Sequence, residues 1–131
     1  MAKTMTKLAA KVTGFDIPVE NEERATKFYN SVFGWKIITG EKDHSHVETV
    51  EVDKNWVPKE KGAVNGMLYK RGSKHDRAAL MITVESISDT IEKINKLKGC
   101  VVTAKTEVGA GWWAEIADTE GNLFELWENR D

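Results

Sequence analysis

Apolar and polar residues alternate with strand and helix periods along the first third of the chain. The first strand is predicted over Val12–Val19, because Phe15, Ile17 and Val19 form one apolar face at alternate positions. A helix follows, with Asn21 as its N-cap and Gly34 as the residue that ends it. The apolar stripe of this helix, which we expect to be buried, consists of Ala25, Phe28, Tyr29, Val32 and Phe33.

The same pattern returns in the second half, where a strand over Ala79–Glu85 precedes a helix from Ser86 to Gly99. Three further strands are expected in each half: Trp35–Thr39, His46–Asp53, Gly66–Arg71, Cys100–Thr106, Trp112–Ala117 and Asn122–Trp127. A shift of 65 residues superposes Ile17, Val19, Glu20, Asn21, Val32, Gly34 and Ile37 on Ile82, Val84, Glu85, Ser86, Leu97, Gly99 and Val102. The sequence therefore predicts two βαβββ units, at about 12–71 and 79–128, in one α+β domain.

The last two strands form a predicted hairpin, with Gly121 free to adopt a positive φ in its turn. Alternation places Phe124 and Leu126 on one face and Glu125, between apolar neighbours, on the other. Burying an unpaired carboxylate is unfavourable. Glu125 is therefore the first candidate for chemistry.

Composition narrows the choice of partners and compartment. The chain has 131 residues and a net charge of −2, with no basic run that would indicate nucleic acid or an anionic membrane as partner. It has one cysteine, Cys100, which excludes an internal disulfide and is expected to be a buried structural thiol. No signal-peptide pattern and no membrane-spanning apolar run occurs, so a cytoplasmic location is expected.

Two βαβββ units in this length resemble the vicinal oxygen chelate (VOC) superfamily of glyoxalases, bleomycin-resistance proteins and extradiol dioxygenases. The resemblance is most specific at Ile17–Trp35 and Gly111–Glu125, and it is closest to the glyoxalase-related branch of undefined activity. It implies a single VOC domain with a cupped mixed sheet, a small-molecule ligand in the cup and a homodimer.

In metal-dependent members, the first and last strands of each unit supply the ligands of a divalent ion. The corresponding positions here are Gly14, Ala79, Glu125 and a residue at 67–69 (Met67, Leu68 or Tyr69). Only Glu125 has a metal-binding side chain, and a divalent ion needs several ligands. No metal or other cofactor is therefore predicted.

If Gly14 and Ala79 face the cup, alternation along the strands places acidic and aromatic side chains there with them. The candidate ligand-binding residues are Asp16, Tyr69, Met81, Trp113, Glu115, Leu123, Glu125 and Trp127. Asp16 and Glu125 are expected to converge and to repel each other, which favours a small cationic or hydrogen-bond-donating ligand. The alternative is a wet groove whose carboxylates pair with lysines or backbone N–H groups.

Four other side chains are functional candidates that also have a purely structural explanation. His44 and His46 are expected at a solvated strand edge. His75 is either a surface residue or, like Glu125, a candidate catalytic residue. Trp56, in the polar loop Asp53–Asn65, is either a lid over the cup or packs on its own loop.

The leading function is the binding or metal-independent transformation of a small molecule in the cup. One alternative is antibiotic sequestration, as in bleomycin-resistance proteins. The other is a metal-dependent lyase or isomerase of glyoxalase type, which would complete its site with His44, His46, His75 or a partner subunit. The sequence leaves open whether the protein is an enzyme.

Overall fold

Strands and helices follow the order βαβββ twice in the computed structural model, which describes residues 10–40, 44–72 and 76–130. The elements are β1 (Lys11–Val19), α1 (Glu22–Phe33), β2 (Lys36–Thr39), β3 (His44–Glu48), β4 (Asn65–Lys70), β5 (Ala79–Thr83), α2 (Ile87–Lys96), β6 (Cys100–Val108), β7 (Gly111–Ala117) and β8 (Leu123–Asn129). The predicted α+β class and the repeated element order are confirmed.

The chain divides into an N-terminal unit, Gly14–Ala78, and a C-terminal unit, Ala79 onwards together with the chain up to Thr13. The N-terminal strands lie in the order β2-β3-β4-β1, with β1 and β4 parallel. The C-terminal strands lie in the order β5-β8-β7-β6, with β5 and β8 parallel. Within the described part of the chain, neither helix has the length and apolar character needed to cross a membrane.

Helix α2 covers one face of the C-terminal sheet. Its N-cap Ser86 accepts a hydrogen bond from the Asp89 backbone N–H at 3.0 Å, and Ile87 is fully buried. The buried core beneath the helix consists of Val84, Ile87, Ala114, Ile116 and Leu126. Those that belong to the sheet lie on the face that strand alternation predicted to be apolar, and burial of each larger side chain contributes roughly 1.5–3 kcal/mol.

Helix α1 has the predicted ends. Asn21 accepts a hydrogen bond from the Arg24 backbone N–H at 2.8 Å, and Gly34 ends the helix with a left-handed φ of 74°. Its predicted burial is wrong, because Phe28 is 55% exposed and Val32 and Phe33 are exposed to a similar extent.

Ring packing explains why the stripe of α1 stays exposed. The Trp35 ring contacts Phe15 of β1 at 5.6 Å and stacks on Tyr29 of α1 at 5.3 Å, measured between centroids. The helix therefore meets the sheet through an aromatic layer. Phe28 makes only edge contacts with Tyr29 and Phe33, at 5.5 and 6.3 Å. More than half of its surface remains exposed to solvent.

Strand β3 ends earlier than predicted. It spans His44–Glu48, whereas the sequence pattern suggested a strand to Asp53. The side-chain oxygen of Asn65 accepts hydrogen bonds from the Thr49 backbone N–H at 2.7 Å and from that of Val50 at 3.3 Å. These donors are thereby diverted from a strand ladder.

The end of α2 also differs from the prediction. Lys98 is the left-handed residue, with φ 73°, although Gly99 was expected to end the helix. Close packing, rather than the end of the helix, favours a glycine at position 99. A Cβ there would lie 2.8 Å from the Ile94 side chain and 2.9 Å from the Ala117 carbonyl oxygen. Cys100, predicted to be buried, is exposed because it begins the outermost strand, β6.

Candidate functional site

The face of the C-terminal sheet opposite α2, here called the C-terminal helix-free face, carries most of the candidate residues. Six of the predicted ligand-binding side chains share it by strand register: Met81, Trp113, Glu115, Leu123, Glu125 and Trp127. Glu125 is the central position, since its register partners are Met81 on β5 and Glu115 on β7.

Glu115 and Glu125 form a carboxylate pair, with side chains directly opposite each other on β7 and β8. Both are buried, with 0% and 1% exposure. Thr103 Oγ1 donates a hydrogen bond to Glu115 Oε1 at 2.7 Å, and Trp113 Nε1 donates one to Glu125 Oε1 at 2.6 Å. Opposite residues of an antiparallel pair have Cβ atoms about 4.5–5.5 Å apart, so two acidic groups lie side by side.

The turn between β7 and β8 fixes the register of this pair. Asp118 Oδ1 accepts hydrogen bonds from the backbone N–H groups of Glu120 and Asn122, both at 2.8 Å. The bond from the Asn122 backbone is the main reason that the pKa of Asp118 is lowered. Gly121 adopts a φ of 84°, as the sequence predicted.

Trp127 lies across the backbone of Gly111 on the neighbouring strand. A Cβ at Gly111 would overlap the Glu128 carbonyl oxygen and approach the Trp127 ring to 2.9 Å. The indole Nε1 of Trp127 also donates a hydrogen bond to Asn129 Oδ1 at 2.8 Å. The absence of a side chain at Gly111 therefore sets the position of one aromatic ring of the candidate site.

In the N-terminal unit, the face opposite α1, called the N-terminal helix-free face, carries Asp16 and Tyr69. Asp16, which is 3% exposed, is in register with Met67 and, through it, with His46. Tyr69 is in register with His44 and donates a weak hydrogen bond to the Met67 sulfur at 3.9 Å. The expected convergence of Asp16 with Glu125 would join two separate units and stays a prediction.

Trp56 does not pack only on its own loop, because its ring stacks on His46 with centroids 5.4 Å apart and planes 25° from parallel. The loop has internal structure: Val52 bridges Pro58, and the Asp53 N–H donates to the Val57 carbonyl at 2.9 Å. This turn was not predicted from the sequence. Asp53 was its available signal, since an aspartate side chain often accepts backbone bonds from the next residues.

The residues at the metal positions of the superfamily do not fit a divalent ion. Gly14 and Ala79 have no side-chain atom that can bind a metal. Met67, on the N-terminal helix-free face, offers only a soft thioether. Within residues 10–40, 44–72 and 76–130, no three His, Cys, Asp or Glu side chains gather where they could hold a metal ion. His75, a candidate catalytic residue, lies outside the described residues.

The chain matches a known protein superfamily over most of its length. Residues 11–126 match the family described as the Glyoxalase/Bleomycin resistance protein/Dioxygenase superfamily. The chain belongs to this superfamily. The resemblance seen in the sequence, to what is also called the VOC superfamily, is therefore confirmed.

Individual relatives agree with this assignment. A glyoxylase-like domain-containing protein of Didymella fabae is 30% identical over 126 residues, which cover 91% of this chain and 94% of that protein. A hypothetical protein from Bacillus halodurans C-125 is similar in structure, with a TM-score of 0.68, 15% identity and coverage of 95% and 97%. Streptomyces coelicolor methylmalonyl-CoA epimerase has a TM-score of 0.67, 12% identity and coverage of 95% and 100%. At such identities the two structures show the shared fold alone.

Proposed function

We propose that this superfamily member binds a small cationic or hydrogen-bond-donating molecule, without a divalent metal, on its C-terminal helix-free face. The observation that carries the proposal is the buried pair of Glu115 and Glu125. Two carboxylates held side by side repel when both are ionised, and burial withdraws the water that would screen them. A ligand that brings a positive charge or N–H donors relieves this repulsion and can donate hydrogen bonds to Glu125.

The charge of Glu125 is not neutralised by a lysine, arginine or histidine of the described part of the chain, so a ligand can neutralise it. Among the residues that the structure describes, Glu125 forms no ion pair, and its hydrogen-bond donor is the neutral indole of Trp113. A neutral donor orients the carboxylate but does not cancel its charge. A bound cation would therefore gain both a Coulombic interaction and directed hydrogen bonds.

The two tryptophans supply the apolar part of the proposed site. Trp113 and Trp127 are directly opposite each other on β7 and β8, and both are half-buried. Indole faces attract cations, with about 0.5–2 kcal/mol per contact. Aromatic walls beside a carboxylate pair favour a small organic cation over a bare metal ion, which would need several more ligands.

Methylguanidinium tests this proposal, with neutral methylurea as its matched control. We expect methylguanidinium to shift the Trp113 Nε1–H resonance in NMR spectra, because that group donates to Glu125. Glu125→Gln should weaken binding at least about tenfold, since a hydrogen bond to a charged group contributes about 1.5–3 kcal/mol. Glu115→Gln should act in the same direction.

Glu92→Gln is the control variant, because it removes one negative charge from an exposed position of α2. Its affinity should stay within a factor of two of the unmodified protein. Equal binding of methylurea, no binding of either probe, or equal losses in Glu92→Gln and Glu125→Gln would each contradict the proposal. Native mass spectrometry of the purified protein then identifies any ligand that is retained from the cell.

Metal content provides a separate test. Because three of the four ligand positions lack a suitable side chain, the purified untagged protein should carry no stoichiometric Zn, Ni, Mn or Fe by elemental analysis. Treatment with EDTA should leave methylguanidinium binding unchanged. About one equivalent of metal per chain, lost in Glu125→Ala, would show that the metal-dependent alternative is correct.

We also propose that the protein is cytoplasmic and forms a homodimer, as expected from the sequence. The exposed apolar side chains of α1, Phe28, Val32 and Phe33, offer surface that self-association would bury.

A further inference from the structure

Four aromatic rings form a row on the N-terminal unit that the proposed function does not use. Trp56 stacks on His46, His46 meets His44 with centroids 6.3 Å apart, and His44 meets Tyr69 at 6.2 Å. The register of β3 and β4 places His44, His46 and Tyr69 on the N-terminal helix-free face. Trp56 extends this row from the loop that follows β3.

Trp56 adopts a backbone conformation that its own burial does not explain. Its φ is 65°, in the left-handed region that bulky L-residues rarely occupy. Its side chain is 61% exposed, so little hydrophobic stabilisation is gained in return. A strained residue with an exposed aromatic ring is typical of a binding position rather than of core packing.

The surrounding turn holds Trp56 in this conformation. Asp53 Oδ1 accepts hydrogen bonds from the Asn55 N–H at 2.8 Å and the Val57 N–H at 3.1 Å, on either side of Trp56. The Trp56 N–H itself donates to the Asp53 carbonyl at 3.0 Å. The turn thus fixes the backbone at Trp56, and stacking on His46 orients the indole before any ligand arrives, which reduces the entropy lost on binding.

Gly40 lies beside the two imidazoles, although the atom closest to it belongs to the His44 backbone. A Cβ at this position would lie 3.2 Å from the His44 carbonyl oxygen and within 4.0 Å of the Cδ2 atoms of both His44 and His46. The imidazoles therefore lie close against a bare stretch of backbone. Their nitrogen atoms can donate or accept hydrogen bonds at the rim of a stacking surface.

We propose that Trp56 and His46 form a preorganised binding surface for a flat aromatic molecule. One face of the indole rests on His46, and the exposed indole surface is available for a second planar ring. Indole, imidazole and phenol rings favour such partners because offset stacking adds to simple apolar burial. This surface depends on residues other than Glu115 and Glu125, so it stands or fails independently of the cation site proposed above.

The test compares 2-naphthalenemethanol with its saturated counterpart, decahydro-2-naphthalenemethanol. Binding is followed through the Trp56 Nε1–H resonance and through the ring-proton resonances of its stacking partner His46, which are still present when Trp56 is replaced. We expect the flat probe to bind at least about tenfold more tightly than the saturated one, since each stacked ring pair contributes a factor of that order.

Substitutions localise the effect. Trp56→Leu keeps an apolar side chain but removes the aromatic plane, and it should weaken naphthyl binding about tenfold, whereas Trp56→Phe should retain it within about threefold. Asp53→Ala should weaken binding several-fold because the turn no longer fixes the indole. Phe28→Leu, at another exposed aromatic position, is the matched control and should change nothing.

Four results would overturn the proposal. The first two are absence of any naphthyl binding and equal affinity for the flat and the saturated probe. The other two are unchanged binding in Trp56→Leu and an equal loss in Phe28→Leu. Circular dichroism of each variant verifies folding, and Trp56→Phe provides a second readout if Trp56→Leu is unstable.

Discussion

Ile87→Ala is expected to lower the free energy of unfolding by about 2–5 kcal/mol, whereas Phe28→Ala should lower it by only about 1 kcal/mol. Ile87 is the fully buried first residue of α2 and lies in the core between helix and sheet. Truncation there leaves a cavity that neighbouring strands cannot close. Phe28 is the larger side chain, but more than half of its surface is already in water.

Urea unfolding followed by circular dichroism and tryptophan fluorescence measures both changes. Leu97→Ala is the control, because Leu97 at the end of α2 is 73% exposed, more than any other large apolar side chain among the described residues. Its loss should stay below about 0.5 kcal/mol. If Phe28→Ala cost as much as Ile87→Ala, the exposed position of Phe28 on α1 would be wrong.

Gly111→Ala is expected to destabilise the protein by about 1–3 kcal/mol and to displace Trp127. The new methyl group would meet the Glu128 carbonyl oxygen and the Trp127 ring, and the backbone at that point is held in the β7–β8 ladder. Strand separation must therefore increase locally or the indole must turn away. Either change alters an aromatic wall of the proposed cation site.

Gly109→Ala is the matched control two residues away, since a Cβ there meets nothing within 4 Å. It should be neutral or stabilise the protein by up to about 1 kcal/mol, through the lower entropy of the unfolded chain. Thermal unfolding measures stability, and the Nε1–H resonance of Trp127 reports its displacement. Equal effects of the two substitutions would show that close packing at Gly111 is unimportant.

Much of the candidate site was predictable because it depends on neighbours in the sequence. Alternation assigned Glu125 and Trp127 to one face and Leu126 to the other, and the strand register agrees. The direct partner of Glu125 was not identified. Glu115 had been placed on the same face, but the acidic partner chosen was Asp16, although the register of the hairpin brings Glu115 opposite Glu125.

The N-terminal helix shows where the sequence pattern ceased to be informative. Asn21 and Gly34 determined where α1 begins and ends, because capping depends on a few adjacent backbone groups. The same pattern could not determine how far the stripe is buried. Trp35, which lies beyond the helix, and Phe15, on another strand, form the layer that the helix contacts.

The sequence by itself determined the order of strands and helices, the N-caps of both helices, the end of α1 at Gly34, the hairpin turn at Gly121 and the face on which Glu125 lies. All of these follow from interactions among residues a few positions apart, whose geometry is fixed by backbone sterics and hydrogen bonding. The tertiary structure alone decided that Phe28 and Cys100 are exposed, that Asn65 ends β3, and that Trp56 stacks on His46. Burial and stacking depend on surfaces contributed by residues distant in the chain, and the local pattern of apolar residues does not specify those surfaces.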